Sequence, residues 1–387
     1  MNAPQGEFRY IGPAKVIFGP GKTDALPAEL ERRGLSRAVV VTGNTLGHSP
    51  LLETVTGALG GRCAAVFSGI RQHVPLSAVR ELQQVIQQVN ADCLVSFGGG
   101  SPVDAAKVAA YSVLTGRDPG QPPPPPPYRP ERELVNIAIP TTLSAAEYTP
   151  AGAFTDENTR VKSGVFADYL QPQVIINDPL VTLKTPNWLW VATAMRALDH
   201  AVESIYSLRH QAINDAVAAK AIVLLREHLP ASRGIEPDHI AHRGYCQMAA
   251  WFSIFGAMNT GFGISHALGH QIGPRWNVPH GVTSCITLPH VMKYMAGIAP
   301  ERFGPIAEGF GVAFDPSDPR PAALECAQRT TQFIAQFAVP HRLQDAGVPR
   351  EEVGLIAGTV LEEVERFHML DRPVSVQDIT ALLEAAY

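Results

Sequence analysis

Cysteine is scarce in this sequence, and its placement excludes a covalent framework. The 387 residues contain five cysteines, an odd number, and no Cys-x-x-Cys pair occurs among Cys63, Cys93, Cys246, Cys285 and Cys326. Widely spaced thiols of this kind are typical of a reducing compartment and argue against a disulfide scaffold or a cysteine zinc site. We therefore expect a cytoplasmic protein.

Long apolar runs and an excess of basic residues are also missing. No stretch of 18 apolar residues occurs, so no membrane span is expected, and the start MNAPQGEFRY lacks the pattern of a secretory signal. The formal net charge is -5, whereas sequence-independent nucleic-acid binding needs a basic surface. Because 45% of the residues are hydrophobic, a buried core is expected. These features favour a globular protein with a small-molecule substrate and no nucleic-acid or membrane partner.

The first half of the chain alternates short apolar runs with helical stretches. The runs predicted as strands are Ala38–Thr42, Asp92–Phe97, Val135–Ile139 and Val174–Asn177. An amphipathic helix is predicted over His73–Asn90, and a polar hairpin over Phe154–Val165 with its turn at Asp156–Asn158. Strand and helix in alternation predict a parallel sheet with helices on its faces.

The second half reads as helical throughout. Apolar residues recur with helical period over Asn187–Leu208, Gln211–Leu229, His239–Phe255, Val282–Ala296 and Pro321–Phe337. Pro186 suits the start of the first of these helices. We therefore predict an α/β domain over residues 1–185 and an all-helical domain over residues 186–387.

A run of six prolines, Pro122–Pro127, cannot join a helix or the interior of a sheet. A stiff surface spacer of polyproline II form is one interpretation, and a ligand for a proline-binding module is the other.

A glycine-rich turn lies between a predicted strand and a predicted helix. Gly98, Gly99, Gly100 and Ser101 follow the strand and precede the helix Pro102–Leu114. Glycine lets the backbone approach a phosphate closely, and a helix N-terminus offers free N–H groups and partial positive charge. A tight turn without a ligand would have the same sequence pattern. No Walker lysine follows, which disfavours an ATPase.

Four histidines have informative spacing. His266 and His270 are four residues apart and share a helix face, His280 follows ten residues later, and His200 lies on a predicted helix. Together they could ligate a metal, or they could be surface and core histidines that happen to align. The spacing leaves both possibilities open.

These blocks resemble those of the iron-containing alcohol dehydrogenases and their maleylacetate reductase relatives. The sequence GGGSPVDAAK from Gly98, MRALDHAVE from Met195 and HALGHQIGPRWNVPHG from His266 resemble the family's signatures. The block PTTLSAAE from Pro140 has the spacing of the maleylacetate reductase branch. The resemblance extends from Phe18–Gly21 to about His290, and the combination of blocks in this order is highly specific.

The resemblance implies a fold and a cofactor site. The expected fold is a Rossmann-like domain with a parallel sheet followed by an all-helical domain, as in dehydroquinate synthase, and the expected assembly is a homodimer. The residues that the resemblance places at NAD or NADP are Gly98, Gly99, Gly100, Ser101, Asp104, Thr141, Thr142, Ser144 and Lys162. After the first strand, where NAD-specific members often carry an aspartate, this chain has Gly43 and Asn44, so nothing negative excludes NADPH.

The resemblance also implies a metal site, from which this chain departs. His200, His266 and His280 match three ligands of iron or zinc, and His270 matches the histidine near the nicotinamide. The fourth ligand, an aspartate four residues before His200, is replaced by Arg196. Maleylacetate reductases also lack this aspartate and work without metal, so a metal-free site is favoured.

Arg196 has two interpretations. Its guanidinium cannot ligate a cation, but it could polarise a substrate carbonyl or hold a substrate carboxylate through two hydrogen bonds. It could instead pair with Asp199 or Glu203 as a structural ion pair.

The predicted function is hydride transfer between nicotinamide and a carbonyl or alcohol carbon, most simply in a reductase of a maleylacetate-like oxoacid. A metal-dependent alcohol dehydrogenase or aldehyde reductase is the first alternative. A lyase of the dehydroquinate synthase type and a catalytically inactive binding protein are the others. The residues around the histidines match neither branch of the family fully, so the substrate cannot be copied from either.

Overall fold

The protein is described here by a computed structural model that covers residues 5–121, 124, 128–159, 161–235, 237–370 and 373–387. Apart from Pro124, the proline run Pro122–Pro127 lies outside the described residues, so both interpretations of it stay predictions.

The strands form one parallel sheet and one hairpin. In chain order they are Lys15–Phe18 (β1), Ala38–Gly43 (β2), Cys63–Ile70 (β3), Cys93–Gly98 (β4), Val135–Pro140 (β5), Ala151–Asp156 (β6), Val161–Phe166 (β7) and Val174–Asn177 (β8). The described sheet has the order β1-β8-β5-β4-β2-β3, with all neighbours parallel, and β6 pairs with β7 antiparallel. The inner strands β4 and β5 are buried along their whole length, because helices cover both faces.

The α-helices fall into two groups. Between the strands lie Leu26–Arg32 (α1), Asn44–Gly47 (α2), Pro50–Leu59 (α3), Leu76–Gln88 (α4) and Gly100–Thr115 (α5). After β8 follow Asn187–Tyr206 (α6), Ala212–His228 (α7), His239–Ile254 (α8), Ala257–Thr260 (α9), Ile264–Trp276 (α10), His280–Ile298 (α11), Gly304–Phe310 (α12), Arg320–Ile334 (α13), Ala357–Arg366 (α14) and Val376–Ala385 (α15). No strand follows β8 in the part of the chain that is described.

The predicted fold class is therefore confirmed: a Rossmann-like parallel sheet with helices, then a helical region. The change from alternating strands and helices to helices alone, predicted near residue 185, falls between the end of β8 and the start of α6. The domain limits 1–185 and 186–387 themselves stay a prediction.

Two strands, one helix boundary and several helices, among them α1, α3, α14 and α15, were not predicted from the sequence. The strands β1 and β3 lie at the two edges of the sheet, where shorter or more exposed runs carry a weaker apolar signal. The helix predicted from His73 begins at Leu76 instead. Pro75 disfavours helical backbone at Val74, and both His73 and Val74 adopt positive φ, 63° and 51°. His73 is thereby free to face other parts of the chain.

The sheet has a switch point between β2 and β4. From β2 the chain continues outward to β3, whereas from β4 it continues in the opposite direction to β5 and β8. Connections that diverge in this way leave a crevice at the carboxyl ends of the two strands, where open α/β sheets bind their ligands.

Helix α6 is buried on all sides. Every residue from 190 to 206 is buried, so this helix runs through the centre of the helical region. Arg196, Asp199, His200 and Glu203 lie within that stretch. Because buried polar groups require partners, these side chains must find their hydrogen bonds inside the protein.

The start of α11 packs directly on α6. A Cβ atom at Gly281 would lie 2.4 Å from the carbonyl oxygen of Ala192, so only glycine allows this approach. This contact holds the preceding residue, His280, at the wall of a large cleft.

We expect Gly281→Ala to destabilise the protein by about 1–3 kcal/mol, because the two helices must separate to admit the methyl group. Gly297→Ala is the matched control on the same helix, since a Cβ there meets nothing within 4 Å. The free energy of unfolding of Gly297→Ala should not fall, and it should rise by up to about 1 kcal/mol. Denaturant unfolding of both variants measures this, and equal midpoints would contradict the proposed packing.

Candidate active site

A large cleft runs along the carboxyl edge of the sheet and the facing helices. Its volume is about 2190 Å³. Every residue predicted from the sequence to bind the cofactor or to act on the substrate lines it, from Gly43 and Asn44 at one end to the four histidines at the other. Their roles stay predictions, but the fold brings them all to one place.

The glycine-rich turn ends β4 and starts α5. Gly98 has a φ of 142°, which side chains rarely allow, and Gly99 caps α5 without a side-chain hydrogen bond. A Cβ at Gly100 would lie 3.0 Å from the Oγ atom of Ser144. The first N–H groups of this 16-residue helix therefore face the cleft without a side-chain cap, as an anion-binding site requires.

Lys107, in the sequence GGGSPVDAAK, is buried and hydrogen-bonded to the backbone, which indicates a structural role. Its side chain is fully buried, and Nζ donates to the carbonyl oxygens of Ala146 at 2.6 Å and Ala151 at 2.8 Å. The carboxylate of Asp104 lies 3.8 Å away. Burial lowers the pKa of Lys107 to about 8. Lys107 thus ties the loop after β5 and the start of the hairpin to α5 beneath the glycine turn.

His200 and His266 lie side by side on α6 and α10. Their ring centroids are 5.0 Å apart, and Phe262 stacks on His266 at 3.9 Å. Burial, assisted by the charge of Arg196, holds the pKa of both imidazoles well below its usual range. Both rings are therefore neutral at physiological pH.

Glu203 organises the start of α10. Its carboxylate accepts hydrogen bonds from the backbone N–H groups of Gly263 at 2.9 Å and Ser265 at 2.7 Å, and from His266 Nδ1 at 2.7 Å. A carboxylate suits a helix N-terminus, where orphan N–H groups carry partial positive charge. Burial raises the pKa of Glu203, and the hydrogen bonds from Gly263 and Ser265 oppose this by stabilising the charged form. The interaction fixes the ring orientation of His266.

Arg196 is buried beside the histidines with incomplete pairing. Its Nη1 lies 3.3 Å from Ser284 Oγ and 3.5 Å from Asp199 Oδ2. That Asp199 oxygen already accepts shorter hydrogen bonds from Ser265 at 2.8 Å and Ser284 at 2.6 Å. The structural ion pair considered from the sequence is therefore present but long and shared. The charge of Arg196 is felt across the site, where it lowers the pKa of all four histidines.

Lys162 reaches the same place from β7. Its Nζ contacts Nε2 of His280, and burial lowers the pKa of Lys162 to about 8. The other ring nitrogen of His280, Nδ1, has no partner among the described residues. His73 approaches His280 edge-on, with ring centroids 6.1 Å apart. No local sequence pattern indicates His73, because its position depends on the positive φ angles of His73 and Val74 before Pro75.

His270 has a partner that the sequence motifs did not indicate. Its Nδ1 lies 2.6 Å from Oε1 of Glu363, on α14, and Oε2 of Glu363 accepts from Gln271 at 3.2 Å. Glu363 lies more than 70 residues beyond the end of the resemblance and in no recognisable motif, so only the fold brings it to the site.

Two matches to protein families cover most of the chain. Residues 13–179 match "Iron-containing alcohol dehydrogenase", and residues 190–387 match "Fe-containing alcohol dehydrogenase family, C-terminal". The chain belongs to the iron-containing alcohol dehydrogenase family. It is accordingly an NAD(P)-dependent oxidoreductase. None of the helices in the described residues is long and apolar enough to cross a membrane.

Individual members of the family resemble the chain over its full length. Lactaldehyde reductase of Escherichia coli (strain K12) is 30% identical, covering 96% of this chain and 97% of its own. Maleylacetate reductase of Burkholderia cepacia is 30% identical, covering 100% and 98%. The structure of an alcohol dehydrogenase from Oenococcus oeni superposes with a TM-score of 0.89 at 26% identity, covering 98% and 100%. The predicted family, with maleylacetate reductases among its relatives, is confirmed.

The family's name implies iron, which needs ligands with free lone pairs that converge on one point. Among the residues described, only Asp199, Glu203 and His266 bring potential ligand atoms within 4.8 Å of one another. Those atoms are already engaged: Glu203 accepts from backbone N–H groups and from His266, and Asp199 Oδ2 accepts from two hydroxyls.

The three predicted histidine ligands fit a cation no better. Nε2 of His280 is occupied by the ammonium group of Lys162. Arg196 stands one helical turn before His200, where the family places an acid, and its charge would repel a metal ion. The engaged donor atoms and the neighbouring guanidinium disfavour a divalent cation at this site.

We expect Glu203→Gln to destabilise the protein by about 1–3 kcal/mol, since an amide NH₂ would face backbone donors and leave them unpaired. Glu227→Gln is the control, because its pair with Arg226 is exposed and should contribute less than about 1 kcal/mol. Denaturant unfolding compares the two, and a loss in Glu203→Gln no larger than in the control would refute the network.

Proposed function

We propose that this enzyme uses NADH or NADPH to reduce the carbonyl of a small carboxylated substrate, an oxoacid of the maleylacetate type, without a bound metal. The observation that carries the proposal is the buried, incompletely paired guanidinium of Arg196 at the histidine end of the cleft. It supplies positive charge where related enzymes place a cation, and it suits a carboxylate.

The cofactor occupies the sheet side of the cleft in this proposal. The N-terminus of α5, with Gly98, Gly99, Gly100 and Ser101, holds the pyrophosphate. Thr141, Thr142 and Ser144 lie beside this turn, because the backbone N–H of Thr141 donates to the carbonyl of Gly98 at 2.8 Å. The nicotinamide then extends toward Lys162 and His270.

The chemistry needs charge stabilisation and a proton. Hydride moves from nicotinamide C4 to the carbonyl carbon, and the π electrons of the C=O bond move to oxygen. Arg196 stabilises the developing negative charge, which is where preorganised donors contribute most to catalysis. A proton then reaches the oxygen from the histidines, with His270 or His280 as donor.

A metal-dependent alcohol dehydrogenase or aldehyde reductase is the second candidate. Its support is the adjacency of His200 and His266, with rings 5.0 Å apart, and the likeness to lactaldehyde reductase. A lyase of the dehydroquinate synthase type would need a carboxylate where Arg196 stands.

We expect Arg196→Ala to lower kcat/KM for an oxoacid by about 10²–10³-fold, the usual effect of removing one donor to a developing oxyanion. The measurement is oxidation of NADH and NADPH with maleylacetate and a panel of aldehydes, alongside elemental analysis of the purified enzyme. Arg275→Ala is the matched control, since Arg275 lines the same cleft but is half exposed.

Stoichiometric iron or zinc in the wild-type enzyme would overturn the metal-free proposal and favour the second candidate. Turnover of simple aldehydes but of no carboxylated substrate would overturn the substrate class. An equal loss in Arg275→Ala would show that the effect does not come from the position of Arg196.

We also expect Gly43→Asp to make the enzyme prefer NADH, with the KM for NADPH raised about tenfold or more, because the new carboxylate repels a 2′-phosphate. A Cβ at Gly43 would lie 3.2 Å from the carbonyl oxygen of Ile70, so some crowding is expected. Gly43→Ala separates crowding from charge. If the alanine variant disfavours NADPH equally, charge is not the cause.

A further inference from the structure

We propose that Glu363 is a positioning residue that fixes the tautomer and orientation of His270, so that His270 passes a proton between solvent and the cleft. The proposal rests on the proposed function for its kinetic consequence, but the arrangement of the two side chains can be tested without turnover.

The geometry joins two distant parts of the chain. Oε1 of Glu363 lies 2.6 Å from Nδ1 of His270, a distance typical of a charge-assisted hydrogen bond. Oε2 is held separately by Nε2 of Gln271 at 3.2 Å. With both oxygens engaged, the carboxylate cannot rotate freely. It accepts a hydrogen bond from the N–H group at Nδ1, and the proton stays on Nδ1. Nε2 is then the only ring nitrogen of His270 left for proton exchange.

Exposure distinguishes His270 from the two buried histidines, His200 and His266. Its side chain is 37% exposed, whereas that of His266 is 3% exposed. Glu363 is 14% exposed. His270 therefore lies at the boundary between solvent and the buried cluster, with its ring 5.8 Å from that of His280 and 6.2 Å from that of His266.

Opposing charges act on His270. Glu363, on α14, raises its pKa through the hydrogen bond. Burial lowers that pKa, as do Lys162 on β7 and Arg196 on α6. Neutral His266 on α10 itself and neutral His280 on α11 complete the surroundings. Burial is the largest of these effects and the net shift of the pKa of His270 is downward, which Glu363 partly offsets.

This pair accounts for the proton that reduction of the carbonyl consumes. Hydride from the nicotinamide forms the C–H bond, and the carbonyl π electrons become a lone pair on oxygen. In the neutral ring only Nδ1 carries a proton, so Nε2 takes up a proton from solvent and passes it to that oxygen, which gives the alcohol and returns the ring to its neutral form. The Nδ1 proton remains with the hydrogen bond to Glu363 throughout, as in other histidine–carboxylate pairs.

The first test is the tautomer of His270, read from long-range ¹H–¹⁵N NMR of enzyme labelled at histidine ring nitrogens and assigned with His270→Asn. We expect Nδ1 to carry the proton in the wild-type enzyme at neutral pH and the tautomer ratio to change in Glu363→Gln. A proton on Nε2 in the wild-type enzyme, or an unchanged ratio in the variant, would overturn the proposal whatever the substrate is.

The second test is kinetic and uses any carbonyl substrate that the wild-type enzyme reduces. We expect Glu363→Gln to lower kcat about 10–100-fold, the range seen when a residue orienting a functional histidine is lost, with KM for the cofactor within about twofold. The solvent deuterium isotope effect on kcat should rise and the effect of 4-deuterated cofactor should fall, because proton transfer becomes limiting.

Glu352→Gln is the matched control. Glu352 also joins the C-terminal segment to α10, accepting from Nε1 of Trp276 at 2.9 Å, but it does not contact His270. It should leave kcat and both isotope effects unchanged. Equal losses in the two variants would show that Glu363 only anchors α14. If the enzyme reduces no carboxylated substrate, the proposed function is wrong, but this test still applies with any carbonyl substrate that it does reduce.

Discussion

Arg196 is a permanent positive charge on a helix that solvent does not reach, and the active site is arranged around that constraint. A buried charge has to be paired or surrounded by oriented dipoles, or the fold loses stability. Here its carboxylate partner, Asp199, shares one oxygen with two serine hydroxyls. The guanidinium is left only partly neutralised at the wall of the cleft, where in the proposed function a substrate carboxylate completes its pairing.

The neighbouring groups follow from the same constraint. Neutral imidazoles at His200 and His266 tolerate a nearby cation, whereas protonated ones would not. Glu203 satisfies the N-terminus of α10 and the Nδ1 atom of His266 together, which fixes the orientation of that ring. Lys162 adds a second positive group at His280, and its lowered pKa lessens the repulsion between the two.

The sequence was informative where a local rule suffices. The glycine turn, the paired histidines and the alternation of strands with helices each follow from backbone conformation or from a short spacing, so the fold class could be predicted. Other members of the cleft, such as Thr141 and Lys162, were predicted only from the resemblance to the family. Edge strands β1 and β3 carry too weak an apolar pattern to be recognised. His73 required knowledge of two residues with positive φ, and Glu363 required the packing of α14 on α10, which no local pattern encodes.

Glu363 lies near the C-terminus and is therefore among the last residues to be synthesised. During synthesis the cofactor-binding strands, the glycine turn and all four site histidines emerge before α14 does, and domains fold as they emerge. A nascent chain that ends before residue 363 can already have its cofactor cradle, yet His270 still lacks the carboxylate that orients it. In the proposed mechanism, completion of the proton route therefore depends on the last tenth of the chain.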